Sequence, residues 1–164
     1  MKTTSCFLTV LLLGLGACSP PPHGPAGARI VADGITPRLS RSAVSSLYNL
    51  EQINAVVEPL IHQPVSVPRD EDLTVAGWAV DKSSQSEASG IEIVIDGKAY
   101  RARSGVERPD VSQVFGVPAY SKSGFSFSAP ADDLGKGRHE LTLRIVLADQ
   151  KSYVESPVVI VNVE

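Results

Sequence analysis

The side chains that most often carry catalysis are few in this chain of 164 residues. It has three histidines, His23, His62 and His139, and its two cysteines both lie within the first 18 positions. A Gly-x-Ser-x-Gly sequence would present a serine nucleophile and a His-Glu-x-x-His sequence would bind zinc, but the chain contains neither. No pair of carboxylates has a spacing that predicts glycosidic chemistry. The sequence therefore predicts a protein that is not an enzyme.

The groups that could bind a metal ion are spaced unfavourably. Residues 70–72 are consecutive acids, whereas calcium loops alternate their ligands along the chain. The other acidic doublet is at 132–133, far along the sequence. His139 lies beside Glu140 without a third ligand nearby. We therefore expect solvated loops here, and neither a metal nor another cofactor.

Cys18 has surroundings that predict covalent modification rather than catalysis. Lys2 supplies a positive charge, residues 7–15 form an apolar run, and Gly16 and Ala17 are small. This order is typical of a cleaved secretory signal. The apolar run is roughly half of the ~20 residues that a membrane span needs. With a cysteine directly after the cleavage point, the segment resembles the lipobox of bacterial lipoproteins.

That resemblance implies a signal peptide at residues 1–17 and a lipidated amino terminus at Cys18, with palmitate or a similar acyl chain as part of the anchor. Ser19 stands where lipoproteins retained at the inner membrane of Gram-negative bacteria resemble one another in having aspartate. The expected location is therefore the outer membrane, on its periplasmic or cell-surface face. Cys6 leaves with the signal, so the mature chain has no thiol for a disulfide or a thiolate metal site.

The chain between the anchor and the predicted domain has two parts. Residues 18–37 are expected to be a tether, because their Pro-, Gly- and Ala-rich composition cannot form a core. In residues 38–64, apolar residues recur at spacings of three and four, which is typical of an amphipathic helix. Adjacent Val56 and Val57 and the helix-ending Pro59 favour extended structure instead. We expect an extended or mixed segment packed on the domain, with the helix as the alternative.

Residues 65–164 alternate apolar and polar side chains in short runs, which is typical of β-strands. These runs lie at 73–81, 91–95, 98–103, 124–129, 141–147, 153–155 and 158–163. Asp96 and Gly97 predict a hairpin turn, and Asp149 and Gln150 predict another turn. The segment has no βαβ pattern. The sequence therefore predicts an all-β, antiparallel two-sheet sandwich of seven to eight strands at 65–164.

One helical turn is predicted at residues 110–115, bridging two strands. Asp110 can cap it, and Gly116 would end it. One face of this turn would be apolar, formed by Val111, Val114 and Phe115. Arg108 and Asp110 flank a proline, and we expect a charge-assisted hydrogen bond between them to lock the turn. Both residues are therefore assigned a structural role.

Trp78 is the only tryptophan of the chain. It lies in the middle of an apolar strand, and we expect it to fill the core between the two sheets. The alternative is an exposed platform on which a sugar ring stacks.

Five short motifs occur in a characteristic order. They are GWAVD at 77–81, IDGK at 95–98, RPDV at 108–111, SGF at 123–125 and GRHELTLR at 137–144. In this order they resemble an immunoglobulin-like bacterial domain found on secreted proteins and beside membrane-embedded polysaccharide enzymes. The resemblance covers about residues 65–163. It implies an immunoglobulin-like form of the sandwich and supplies no catalytic residues.

The charge balance excludes one class of partner. The formal net charge is −3, with no cluster of lysine or arginine, so neither nucleic acid nor anionic lipid is expected as an electrostatic partner. We expect a lipid-anchored binding or adaptor protein of the bacterial envelope, which contacts an envelope protein or polysaccharide. The alternatives are a carbohydrate-binding module and an accessory subunit of a surface-polysaccharide enzyme. A carbohydrate module would expose, on one face, at least two of the aromatic residues Tyr48, Trp78, Tyr100, Tyr120 and Tyr153.

Overall fold

The computed structural model describes residues 38–44 and 46–164. The predicted signal peptide at 1–17, Cys18 and the rest of the tether to residue 37 lie outside the described residues. The described chain folds into strands arranged in two sheets, with one α-helix and short 3-10 helices. The prediction of an all-β two-sheet sandwich is confirmed.

The strands in chain order are β1 Ser40–Arg41, β2 Leu47–Ile53, β3 Val56–Val57, β4 Val65–Val67, β5 Asp72–Asp81, β6 Ser86–Glu87, β7 Gly90–Ile95, β8 Lys98–Arg101, β9 Arg103–Val106, β10 Gly124–Pro130, β11 Gly137–Val146, β12 Ser152–Glu155 and β13 Val159–Val163. The helix α1 is Pro109–Phe115, and 3-10 helices cover Pro118–Lys122 and Ala131–Asp133.

The first sheet is built around β11. One edge of β11 pairs antiparallel with β7, and its other edge pairs with β13 and then β12. The hairpin from β7 to β8 turns at Asp96 and Gly97, with φ of 49° and 79°. Positive φ at both positions is the geometry of a type I′ turn, as the Asp-Gly sequence predicts. Strands β1 and β4 extend the sheet in parallel with β12 and β13.

The second sheet is built around β5, which pairs with β2 on one side and β10 on the other. Strand β9 lies at the edge beyond β10. Strands β8 and β9 are consecutive in the chain but belong to different sheets. The chain crosses between the sheets at Ala102, whose N–H donates to the carbonyl oxygen of Ile91 at 2.9 Å. The single strand predicted at 98–103 is therefore two strands.

The main core lies between the two sheets, where the inward side chains of both sheets are almost fully buried. Phe125 and Phe127 of β10 point inward together, as their spacing predicts. The first sheet contributes Leu141, Leu143 and Ile145 of β11, each 0% exposed. Burying a side chain of this size stabilises the fold by about 1.5–3 kcal/mol. Stability in this chain therefore comes chiefly from the inner faces of the sheets.

Strand β2 belongs to the sandwich, so the domain begins before the predicted boundary at residue 65. Leu50 and Ile53 lie in the main core with exposures of 1% and 0%. A bulge between Leu50 and Gln52 adds one residue to the strand. The bulge places Leu50 and Ile53, which are three positions apart, on the same face of the strand. In a sequence, this spacing is also typical of a helix. The predicted choice of extended over helical structure agrees with β2, but residues 47–53 are a strand of the domain rather than a segment packed on it.

Asp81 joins the two sheets at one end of the sandwich. Its carboxylate accepts hydrogen bonds from the N–H groups of Ser83 and of Ala148, at 2.9 and 3.1 Å. Burial alone would raise the pKa of Asp81, but the hydrogen bonds from Ser83, Ala148 and Ser84 outweigh it and lower the pKa to about 2. Asp81 therefore stays charged at neutral pH and fixes the end of β5 to the turn between β11 and β12.

Candidate functional site

Arg108 lies at the centre of an ion cluster on the outer face of the second sheet. Its Nη1 and Nη2 donate to the two carboxylate oxygens of Glu51 at 2.8 and 2.9 Å. Its Nε and Nη2 donate to the two carboxylate oxygens of Asp110 at 2.9 and 2.6 Å. Bidentate pairing of this kind is the strongest that arginine makes with carboxylates. The cluster connects β2 to the first turn of α1.

The local sequence explains how Arg108 reaches across the sheet. Gly124 of β10 lies beneath it, and a Cβ atom at this position would come within 2.9 Å of Arg108 Cγ and 2.8 Å of the Val106 carbonyl oxygen. Only glycine permits that approach. Pro109 then begins the helix, in the position that proline favours.

The predicted capping role of Asp110 is wrong. The residue before the helix is Arg108, no side chain caps the helix, and Asp110 is the second helical residue. Its carboxylate instead accepts the hydrogen bonds from Arg108, and these lower the pKa of Asp110 to about 2. Asp110 in turn raises the pKa of Arg108 above its usual value; burial opposes this shift, and Glu51 adds to it. The pairing therefore keeps both Arg108 and Asp110 charged at neutral pH.

Trp78 lies on the outer face of β5, and the prediction that it fills the core between the sheets is wrong. It is half-buried at the edge of a second apolar group, the outer cluster, formed by Val80, Val111 and Tyr120. Strand β5 is apolar on both faces, because α1 and the following 3-10 helix cover part of its outer face. Because both faces of β5 are apolar, the sequence of this strand does not predict which face packs against the other sheet.

The helix α1 buries only one of its three predicted apolar residues. Val111 is buried, whereas Val114 and Phe115 are 78% and 40% exposed. The ring of Phe115 meets Trp78 edge to face, with centroids 5.6 Å apart. Val114 and Phe115 form an exposed apolar surface that we name the α1 ledge. The helix ends at Gly116, as predicted.

A groove of about 640 Å³ lies beside Arg108 on the same face of the second sheet. Its lining includes the short side chains of Ala76 and Ser126, on adjacent strands. Glu51, Arg103 and Glu107 add charges of both signs. No local sequence pattern predicts a binding role for these residues. Glu51 and Arg108 are far apart along the chain, and no local pattern joins them.

His139 has a structural role in this fold. Its Nδ1 lies 2.6 Å from Asp96 Oδ2, and its Nε2 lies 2.9 Å from the carbonyl oxygen of Gly135. Burial alone would lower the pKa of His139, but Asp96 and the Gly135 carbonyl outweigh it and raise the pKa. Within residues 38–44 and 46–164, no group of three or more His, Cys, Asp or Glu side chains is placed to hold a metal ion.

The five aromatic residues considered for sugar stacking do not share an exposed face. Tyr100 and Tyr120 are buried, and Tyr48 packs against the main core. Tyr153 lies on the outer face of the first sheet, with the Arg144 guanidinium 5.2 Å from its ring centroid. Trp78 lies on the outer face of the other sheet. The predicted condition of two exposed rings on one face is not met by this set.

Comparisons of this chain with protein-family models, with curated proteins and with solved structures find no match. Among the described residues, no helix is both long enough and apolar enough to cross a membrane.

Proposed function

We propose that this chain is a lipid-anchored, non-enzymatic binding or adaptor protein of the bacterial envelope, located at the outer membrane. The groove beside Arg108 is the observation that carries this proposal, as the site at which an envelope protein or polysaccharide binds. The pattern that ends at Cys18 supports the anchor.

The groove has the properties of a binding surface for a polar, extended ligand. Arg108 is held by two carboxylates, so its guanidinium loses little freedom when a ligand arrives. Arg103 is exposed and forms no ion pair with any residue that the structure describes. Its charge is therefore available to an acidic or hydroxyl-rich partner. Ala76 and Ser126 leave room above the sheet for a main chain or a sugar ring.

The immunoglobulin-like form of the domain is part of this proposal, and the two-sheet sandwich supports it. A carbohydrate-binding module is the second candidate. The observation that favours it is the exposed ring of Phe115 beside Trp78, at 5.6 Å. An accessory role beside a surface-polysaccharide enzyme would use the same groove.

The groove can be tested by placing a photo-crosslinking amino acid at Ser126 in intact cells. Thr142 gives a matched control, because it is also half-buried and lies on the outer face of a central strand, in the first sheet. We expect crosslinked partners from Ser126 and none from Thr142. The chemistry of the captured partner then separates the adaptor from the carbohydrate module. Equal crosslinking at both positions, or none at Ser126, would contradict the groove as the binding site.

The anchor can be tested by metabolic labelling with a fatty-acid analogue. Cys18→Ala should remove the label and release the protein from the membrane fraction, because one residue carries the whole attachment. A label that persists on Cys18→Ala, or that is absent from the natural chain, rejects the lipoprotein assignment.

A further inference from the structure

The described chain begins at one end of the sandwich. The N–H of Ser40 donates to the carbonyl oxygen of Lys151, which lies in the turn between β11 and β12. Strand β1 then runs parallel to β12, away from that turn. Any segment that precedes Arg38 is therefore attached at this end, which we name the amino-terminal end.

The α1 ledge lies toward the same end of the molecule. The outer cluster beneath it contains Val80, one residue before Asp81 and the end of β5. The hydroxyl of Ser46, where the chain crosses from β1 to β2, donates to the Val80 carbonyl oxygen at 2.5 Å. Val44 in this crossing is a third apolar side chain that is mainly exposed. Three of the exposed large apolar side chains, Val44, Val114 and Phe115, thus lie toward the end where the chain is attached, whereas Val57 and Ile61 lie elsewhere.

The exposed charges differ between the two ends. Acidic residues 70–72 and 132–133 lie together at the opposite end, where Arg69 pairs with Asp132 and the Ala131 N–H donates to the Glu71 carbonyl oxygen. Exposed Lys82 and Lys151 lie in turns at the amino-terminal end, and Lys122 lies beside the outer cluster. Exposed Asp149 lies in the same turn as Lys151, and Glu107 lies 4.0 Å from Lys122, so the amino-terminal end carries charges of both signs. An anionic membrane surface would repel the acidic end more strongly than this one.

We propose that the α1 ledge docks on the bilayer that holds the lipid anchor, with Val114 and Phe115 in the boundary between headgroups and acyl chains. This inference rests on the lipid anchor of the proposed function. Nineteen residues lie between Cys18 and Arg38, and this stretch spans at most about 70 Å when extended. Docking is therefore intramolecular, and a small apolar surface is sufficient at such an effective concentration.

Trp78 provides a reporter, because it is the only tryptophan and its ring touches Phe115. The experiment uses the purified lipidated full-length protein on vesicles of phosphatidylethanolamine and phosphatidylglycerol, with or without bromine on the acyl chains. Bromine quenches tryptophan only at close range. We expect bromine to halve the emission roughly, since a docked apolar face enters the membrane by ~5–10 Å.

Two variants make the test specific. Val114→Glu places a charge on the ledge at a side chain that is 78% exposed, and it should abolish the quenching. Ile61→Glu is the control at a side chain that is 71% exposed, between β3 and β4, and it should keep the quenching. Protein that floats with the vesicles but is not quenched, or equal quenching in Val114→Glu, overturns the docking alone. Protein that carries no lipid and does not float contradicts the proposed anchor, and the docking fails with it.

Discussion

The main core and the outer cluster are both apolar, but they are held in place by different interactions. The main core is closed by two sheets, and its leucine and isoleucine side chains are at most 2% exposed. The outer cluster is covered by a helix of seven residues, which is too short to be stable alone. The ion cluster of Arg108 holds that helix on the sheet. The main core therefore provides most of the stability, whereas the outer cluster supports the exposed α1 ledge.

The largest expected effect comes from removing residues 38–64. This deletion takes away β2, with Leu50 and Ile53, and exposes one whole edge of β5. The two side chains alone contribute about 3–6 kcal/mol, which is comparable with the total stability of a typical domain. We expect fragment 65–164 to lack a cooperative unfolding transition by circular dichroism, whereas fragment 38–164 shows one. A cooperative transition in 65–164 would restore the boundary predicted from sequence.

Single substitutions in the two apolar groups should differ in size. Leu143→Ala empties a fully buried site in the main core and should cost about 2–5 kcal/mol. Trp78→Ala should cost only about 2 kcal/mol, because the half-buried ring has less contact to lose. Urea unfolding measures both, with Leu143→Met as the volume-conserving control. A larger loss from Trp78→Ala would reverse the ranking of the two groups.

Arg108→Met should destabilise the outer cluster without disturbing the main core. The change keeps the aliphatic stem but leaves Glu51 and Asp110 without their shared cation, and we expect a loss of about 1–2 kcal/mol. The emission of Trp78 should shift to the red as α1 loosens. Arg103→Met is the matched control, and an exposed site of this kind should change stability by no more than about 0.5 kcal/mol. Equal effects of the two variants would show that the ion cluster does not hold the helix.

The smallest expected effect is a dependence of the unfolding free energy on pH. It differs between the His139–Asp96 pair and the Arg108–Asp110 pair. The raised pKa of His139 means that its pairing with Asp96 stabilises the fold fully below about pH 6.5 and is lost as the pH rises through the raised value. Burial alone would raise the pKa of Asp96, but hydrogen bonds from the backbone N–H of Glu140 and from His139 outweigh it and lower the pKa. Its contribution is therefore full above about pH 3.9 and is lost as the pH falls through the lowered value.

The change in unfolding free energy that the His139–Asp96 pair causes should stay under about 1 kcal/mol, because Asp96 is half exposed. Thermal unfolding across this pH range measures it, and His139→Gln should flatten the change above neutral pH. The Arg108–Asp110 pair should contribute no slope near neutral pH, because the contribution of Asp110 is full above about pH 3.9 and is lost as the pH falls through about 2. An unchanged slope in His139→Gln would assign the dependence to other groups.

Sequence reasoning succeeded where local chemistry decides the structure. The type I′ turn at Asp96 and Gly97 needs positive φ, and the inward pair Phe125 and Phe127 follows from an alternation without interruption. It failed where geometry depends on distant partners. The bulge in β2 imitates helical spacing, and the outward position of Trp78 depends on a helix more than thirty residues later. The contact between Arg108 and Glu51 cannot be predicted from the residue spacing around either position.

The short strand β1 has a mechanical consequence. A pull on the chain from its amino-terminal side reaches β1 first, which is held by the hydrogen bonds of Ser40 and Ser42 to the stretch around β12. Strand β2 behind it is paired along most of its seven residues with β5. Force should therefore peel β1 away before the sandwich yields, and the chain from Ser40 to Ser46 would add about 25 Å of length. In optical-tweezer records this should appear as a short extension at low force that precedes the main rupture. The detachment of β1 would thus take up a small load before the sandwich itself unfolds.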